Sequence, residues 1–185
     1  MILVVAATEL EAALVDRNAA RVAVCGIGPV EAAVATAREL AGDRPDAVLQ
    51  VGIAGARSLP HGSLVLGSES VYCDVLDPAA RLPRVERVEP DPGLLAGARR
   101  ALPDAHVLPI GTSARVGGAP MCEVEAMEGF AVLRAAALAG VPALELRSIS
   151  NTVAEQDRGR WRIDEALAAL GAALHRVLEE LDHGS

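Results

Sequence analysis

Met1 to Ala7 is apolar at every position. An uninterrupted run of that length predicts a strand covered on both faces, not one half open to water. Arg21 to Cys25 and Ala47 to Val51, mostly apolar, also read as strands. Each is closed by glycines, in Gly26-Ile27-Gly28 and in Gly52-Ile53-Ala54-Gly55. A short helix is predicted at Glu9–Val15. A longer one is predicted at Val30–Ala41, where Pro29 suits a first helical position and strong helix formers follow. Further strands are predicted at Leu64–Leu66, Ser70–Leu76, Val107–Ile110 and Ala143–Ile149. Helices are predicted at Leu94–Leu102, Glu125–Leu138 (stopped by Gly140 and Pro142) and Asp164–Leu181. The proline-rich stretch Asp77–Pro92 and the glycine-rich stretch Gly111–Pro120 predict loops. Strands alternating with helices predict an α/β fold of three layers, with a mostly parallel central sheet flanked by helices. No linker or repeat divides the 185 residues, so one domain over 1–185 is expected.

Composition narrows the partners. Hydrophobic residues are 51% and charged residues 23% of the chain, enough for a core and against bulk disorder. The formal net charge is −8, with no basic block, so a nucleic-acid backbone is repelled and a small-molecule ligand is favoured. One Trp, one Tyr and one Phe are too few for a protein that stacks successive bases of a strand. No apolar run spans a bilayer, and the N-terminal run meets Glu9, Glu11 and Asp16 where a signal peptide would not. Cys25, Cys73 and Cys122 have no zinc-like spacing and cannot form a closed disulfide set. The four histidines, His61, His106, His175 and His183, show no metal spacing either; the last two fall on or after the final helix and read as solvated. A cytoplasmic protein without metal, cofactor, nucleic-acid or membrane partner is expected.

In open α/β sheets, ligands gather beyond the carboxyl ends of the strands, and four features fall there. Thr8-Glu9-Leu10-Glu11 follows the first strand. A carboxylate there can take a proton from an attacking water; a solvated helix start, where acids suit the helix dipole, also explains it. Gly26-Ile27-Gly28 lacks the third glycine and following acid of a dinucleotide fingerprint and reads as a tight turn. Val51 to Gly55 is either a packing turn or a small-residue wall for a flat ligand. Glu125-Ala126-Met127-Glu128-Gly129 pairs with Arg147-Ser148-Ile149-Ser150-Asn151. Glu128, placed on an apolar helix, needs partners if buried, and ribose hydroxyls or Arg147 both qualify. Asp157 to Arg162, with Trp161, is a charged approach to the last helix, read as a surface loop with one anchoring Trp in preference to a lid.

The segments VVAATELE, CGIGPVEAAVATA, VGIAGA, EVEAMEGFAV and GVPALELRSISNTVAEQDRGRWRIDEAL resemble, in order, the nucleoside phosphorylase and nucleosidase superfamily. They cover most of the chain outside about 60–120. Within the superfamily the last two are most similar to the futalosine hydrolase branch, in the Val-Glu and small residue before Met-Glu-Gly, the Ser-Asn pair, and the downstream Asp-Arg and Trp. Methylthioadenosine/adenosylhomocysteine nucleosidases carry Ser-Asp where this chain has Ser150-Asn151.

The resemblance implies a nucleoside phosphorylase-like fold and an N-glycosidic bond hydrolase that frees hypoxanthine from futalosine, leaving dehypoxanthine futalosine, in menaquinone biosynthesis. It implies that Glu11 activates water, that Met127 and Glu128 hold the ribose, that Ala54 and Gly55 form the wall beside sugar and base, and that Ser150 and Asn151 meet the leaving base. It also implies a homodimer or larger assembly. Asn151 is informative: an amide offers a donor and an acceptor, matching O6 and the protonated N7 of a 6-oxopurine. The alternatives are an adenine-releasing nucleosidase acting on methylthioadenosine, adenosylhomocysteine or aminodeoxyfutalosine; a phosphorylase, for which no phosphate-binding arginine is evident near Gly26 or Gly52; and a catalytically weak nucleoside-binding relative. The chain is shorter than usual before Cys122, where relatives carry a base-stacking aromatic. Phe130, at a position usually held by a small residue, is a candidate for that space.

Overall fold

The structure, a computed structural model, describes residues 1–75 and 84–183, excluding the His183 side chain. Strand β1 (Ile2–Ala6) leads through α1 (Glu9–Ala12) to β2 (Arg21–Val24), α2 (Pro29–Ala41) and β3 (Ala47–Ala56). Then come β4 (Leu64–Tyr72), β5 (Arg87–Val88), α3 (Pro92–Ala101), β6 (His106–Thr112), β7 (Val124–Ala126), α4 (Gly129–Ala139), β8 (Ala143–Thr152) and α5 (Ile163–His183). A 3-10 turn at Arg158–Arg160 precedes α5.

Parallel pairing joins β1 to β2 and β3, β3 to β8, and β6 to β4 and β7. Antiparallel pairing joins β3 to β7, and β4 to β5 and β8. The expected α/β architecture with a largely parallel sheet is present, and the pairings add something that the pattern did not predict. Strands β3, β8, β4, β6 and β7 close on one another as a ring. One apolar cluster, including Ala54, Val65, Ile110, Val124 and Ile149, joins all five of its strands.

The continuous apolar runs are covered on both sides. Val4, Leu49, Leu144 and Leu146 pack against Leu170, Leu174 and Val177 of α5. Their neighbours Leu3, Val5 and Val48 pack with Ala32 of α2 and with Val132, Leu133 and Ala136 of α4. Alternate residues of one strand therefore feed two different cores, which is why no polar face appears in the sequence.

Several element boundaries differ from expectation. Strand β3 does not stop at Val51 but runs through the glycines to Ala56. The two short strands expected at Leu64–Leu66 and Ser70–Leu76 are one strand, β4. Strand β6 takes in Gly111 and Thr112, and β8 continues past Ile149 to Thr152. Glu125 and Ala126, expected as the start of a helix, belong to strand β7, because Val124–Ala126 pairs with β6 and β3; the helix begins only at Gly129. Within the expected loop Asp77–Pro92, Arg87–Val88 pairs with β4. The rest of that loop through Pro83, and the expected strand end at Leu76, lie outside the described residues.

Candidate active site

Strands β1, β2, β3 and β8 are mutually parallel, so their carboxyl ends share one edge. Strand β7 runs antiparallel to β3, with Gly55 opposite Glu125. The chain after β7 therefore heads back along β3, and Met127 and Glu128 join the same edge. A cavity of about 320 Å³ lies there, within the size range of small-molecule sites. Its lining includes Glu11, Ala54, Gly55, Met127, Glu128, Ser150 and Asn151. Every residue expected at a site is thus in one place.

Glu11 is held from two directions. Thr8 caps α1 and closes a capping box with Glu11. The Thr8 backbone N–H (3.0 Å) and hydroxyl (2.8 Å) both donate to Glu11 Oε2. The Ile53 N–H donates to Oε1 at 2.9 Å. Glu11 thus belongs to a helix cap and lines the cavity, but it is not a solvated helix start. Its carboxylate is 5% exposed and carries three hydrogen bonds, as a buried acid requires.

Arg147 is 1% exposed and sits among three carboxylates. Its Nε donates to Glu145 Oε1 at 2.9 Å and its Nη2 to Glu128 Oε2 at 3.3 Å. Its Nη1 donates to the Ile53 carbonyl at 3.3 Å. Burial works against the guanidinium charge, but Glu145, Glu128 and Glu11 together outweigh it and hold its pKa above the ordinary value. Arg147 and Glu11 converge over Gly52. A Cβ there would meet Arg147 Nη1 and would lie 2.7 Å from Glu11 Oε1, which explains why a central strand carries glycine at this point. An arginine does stand at Gly52, but it is committed to carboxylates.

Glu128 is not on the helix face; it is the residue before α4, with φ −124° and ψ −29°. Its Oε1 accepts the Gly28 N–H at 3.1 Å, and Oε2 accepts from Arg147. The Arg147 pair is thus real, and both oxygens keep lone pairs for further donors. Burial next to Glu128 pushes the Cys25 thiol up to about 12.

At the other end, Ser150 is 1% and Asn151 5% exposed. The Ser150 hydroxyl faces the Ala54 carbonyl (3.3 Å) and Asn151 Oδ1 (2.9 Å). It orients the amide more directly than it presents itself. Asn151 Nδ2 donates to the Thr152 carbonyl at 3.0 Å, so that, among the described residues, one N–H and one lone pair remain for a ligand. A Cβ at Gly55 would lie 3.0 Å from that Nδ2, so Gly55 makes room for the amide.

Several further residues form the cavity wall. Leu10, Ile27, Ile163 and Leu167 give the cavity an apolar side, and Arg115, Val116, Arg158 and Trp161 complete it. Trp161 is therefore not a mere surface anchor. Phe130 does not enter the cavity: it is buried and stacked on Tyr72, with ring centroids 5.1 Å apart. Glu125, buried in β7, accepts N–H groups of Gly117 and Ala119 and ties down the glycine-rich loop. Glu145 was missed, although Glu-x-Arg on a strand puts both side chains on one face. His175 is exposed, as expected, and pairs with Glu179 at 3.3 Å. Among the described residues, no helix is long and apolar enough to cross a membrane.

Comparison with known proteins gives this arrangement a family. Residues 5–126 match the phosphorylase superfamily. A futalosine hydrolase of Streptomyces coelicolor is 38% identical over 182 residues, covering 85% of this chain and 77% of that protein. The native structure of futalosine hydrolase of Helicobacter pylori is similar with a TM-score of 0.85 at 19% identity, covering 97% of each chain. A 5′-methylthioadenosine/S-adenosylhomocysteine nucleosidase of Colwellia psychrerythraea, in complex with adenine, is similar with a TM-score of 0.85 at 22% identity, covering 97% of this chain and 95% of that one. The chain belongs to the phosphorylase superfamily and, within it, to the futalosine hydrolase family.

Proposed function

We propose that the protein hydrolyses the N-glycosidic bond of futalosine, releasing hypoxanthine and dehypoxanthine futalosine. The observation that carries this reading is the order of groups along β3. Glu11 and Arg147 meet at Gly52, while Asn151 is seated at Gly55. About 10 Å of strand separates the two ends, with Ala54 and Gly55 as the wall between. This order supports a water end and a base end of a nucleoside site on one strand.

Breaking an N-glycosidic bond builds positive charge on the sugar. Glu11 takes the proton of a water attacking the anomeric carbon. Its two oxygens are fixed by Thr8 and Ile53, so the group is oriented before substrate arrives. Glu128 accepts from the ribose hydroxyls beside its Arg147 and Gly28 partners, and Met127 packs on the sugar. The buried carboxylates also favour the positive charge as it develops. Asn151 donates its free N–H to O6 and accepts from the protonated N7. An amide cannot itself supply the N7 proton, which comes from water or another group.

The carboxylates favour water over phosphate as the attacking group. Three acids surround Arg147, an environment that repels a phosphate dianion. Likeness to an adenine-bound nucleosidase keeps adenine release as the second reading, which Asn151 opposes because adenine presents an amino donor at C6. The deciding assay incubates the protein with futalosine, methylthioadenosine and aminodeoxyfutalosine in turn. Hypoxanthine from futalosine is expected; adenine from the other two, without hypoxanthine, would replace this reading with the second. We also propose a single domain and a homo-oligomer for this chain, the latter to be tested by light scattering.

A further inference from the structure

We propose that Trp161 is the platform on which the purine base lies, an inference that rests on the nucleosidase reading above. The chain has one Trp, one Tyr and one Phe. Tyr72 and Phe130 are spent on each other, and neither lines the cavity that holds Glu11 and Asn151. Trp161 lines that cavity and also the polar cavity adjoining it, and Asn151 belongs to both. The indole and the Asn151 amide thus line the same two cavities.

The ring is held there by three contacts. The N–H of the next residue, Arg162, donates to the Ser150 carbonyl at 2.7 Å, tethering the segment to the base end of β8. Indole Nε1 donates to the Glu155 carbonyl at 3.2 Å, and the Arg158 guanidinium lies 5.5 Å from the ring centroid. Asp157 caps the intervening 3-10 turn by accepting the Gly159 N–H at 2.9 Å. A ring fixed in this way loses little freedom when a ligand arrives. It is nevertheless only half-buried, so aromatic surface remains for a flat partner. A purine has two apolar faces that hydrogen bonds from Asn151 cannot satisfy, and stacking on indole satisfies one of them.

Because Trp161 is the sole tryptophan, its fluorescence reports directly on this contact. Titration of the wild-type protein with hypoxanthine, and separately with adenine, is expected to quench the emission saturably, while ribose alone leaves it unchanged. Trp161→Leu keeps apolar bulk but removes the ring. It is expected to raise KM about tenfold, ~1.4 kcal/mol, with kcat little changed, because stacking is felt equally before and during bond breaking. Trp161→Phe is expected to restore most of the loss. Emission that neither purine alters, or a Trp161→Leu variant with wild-type KM, would overturn the platform. Futalosine turnover by the wild type is followed alongside. Its failure would remove the substrate assignment, while quenching by a free purine would still decide the role of Trp161.

Discussion

Replacing Glu11 with Gln separates the acid's chemistry from its packing. The wild-type carboxylate accepts at both oxygens: Ile53 N–H on Oε1, and the Thr8 N–H and hydroxyl on Oε2. A Gln side chain has one acceptor oxygen. Turned one way, its NH2 faces the Ile53 N–H; turned the other way, it faces the Thr8 N–H. Either arrangement leaves a buried donor unpaired, at a cost of about 1–3 kcal/mol of stability. The rate should suffer more. Removing a positioned general base lowers kcat by about 10²- to 10⁴-fold. Urea denaturation gives the first quantity, and hypoxanthine release followed by chromatography, on protein shown to be folded by circular dichroism, gives the second. A variant whose kcat stays within about threefold of wild type would remove Glu11 as the base, since a general-base contribution that small falls outside the expected range. Unchanged stability would contradict the hydrogen bonding at its two oxygens.

Other perturbations address the remaining parts. Glu128→Ala should weaken substrate binding by about 2–3 kcal/mol through lost charge-assisted hydrogen bonds, seen mainly in KM; unchanged KM and kcat would refute ribose binding by this residue. Asn151→Asp removes the N–H offered to O6 and should lower turnover of futalosine about 10- to 100-fold while improving that of aminodeoxyfutalosine; an unaltered ratio would deny Asn151 its part in base choice. Burial, reinforced by Glu128, raises the Cys25 thiol to about 12 from 9.0. The unfolded chain therefore loses this proton first, and stability should fall as pH rises above 9 towards 12, by at most ~1.4 kcal/mol per pH unit. Urea melts of wild type and Cys25→Ala between about pH 9 and pH 11 test this, since equal slopes would contradict it.

Much of the fold was legible because the apolar runs are long and the helices periodic. The misplacements have physical causes. Glycines normally weaken a strand, yet β3 passes through Gly52 and Gly55 because Arg147, Glu11 and Asn151 occupy the space that their side chains would need. Val124–Ala126 is compatible with a helix by propensity and becomes strand only through pairing with β6 and β3. In the site, Glu11 was legible from its place after β1. The capping box that holds it went unread, although its Thr-x-x-Glu spacing stands in the sequence. The charge network around Arg147 was half legible: Glu128 was weighed as its partner, but Glu145 was not. Trp161 was least legible, because a lone aromatic in a charged loop gives no periodic signal. Tertiary contacts, among them the hydrogen bond from Arg162 to Ser150, bring it to the cavity.

The central claim is that water, directed by Glu11, displaces hypoxanthine from futalosine. Its most direct test is the rate of hypoxanthine release with phosphate absent and then added in excess. The account predicts full turnover without phosphate, no acceleration when it is added, and a free sugar product with no phosphate ester. Release that requires phosphate, or no release of hypoxanthine under either condition, would contradict it.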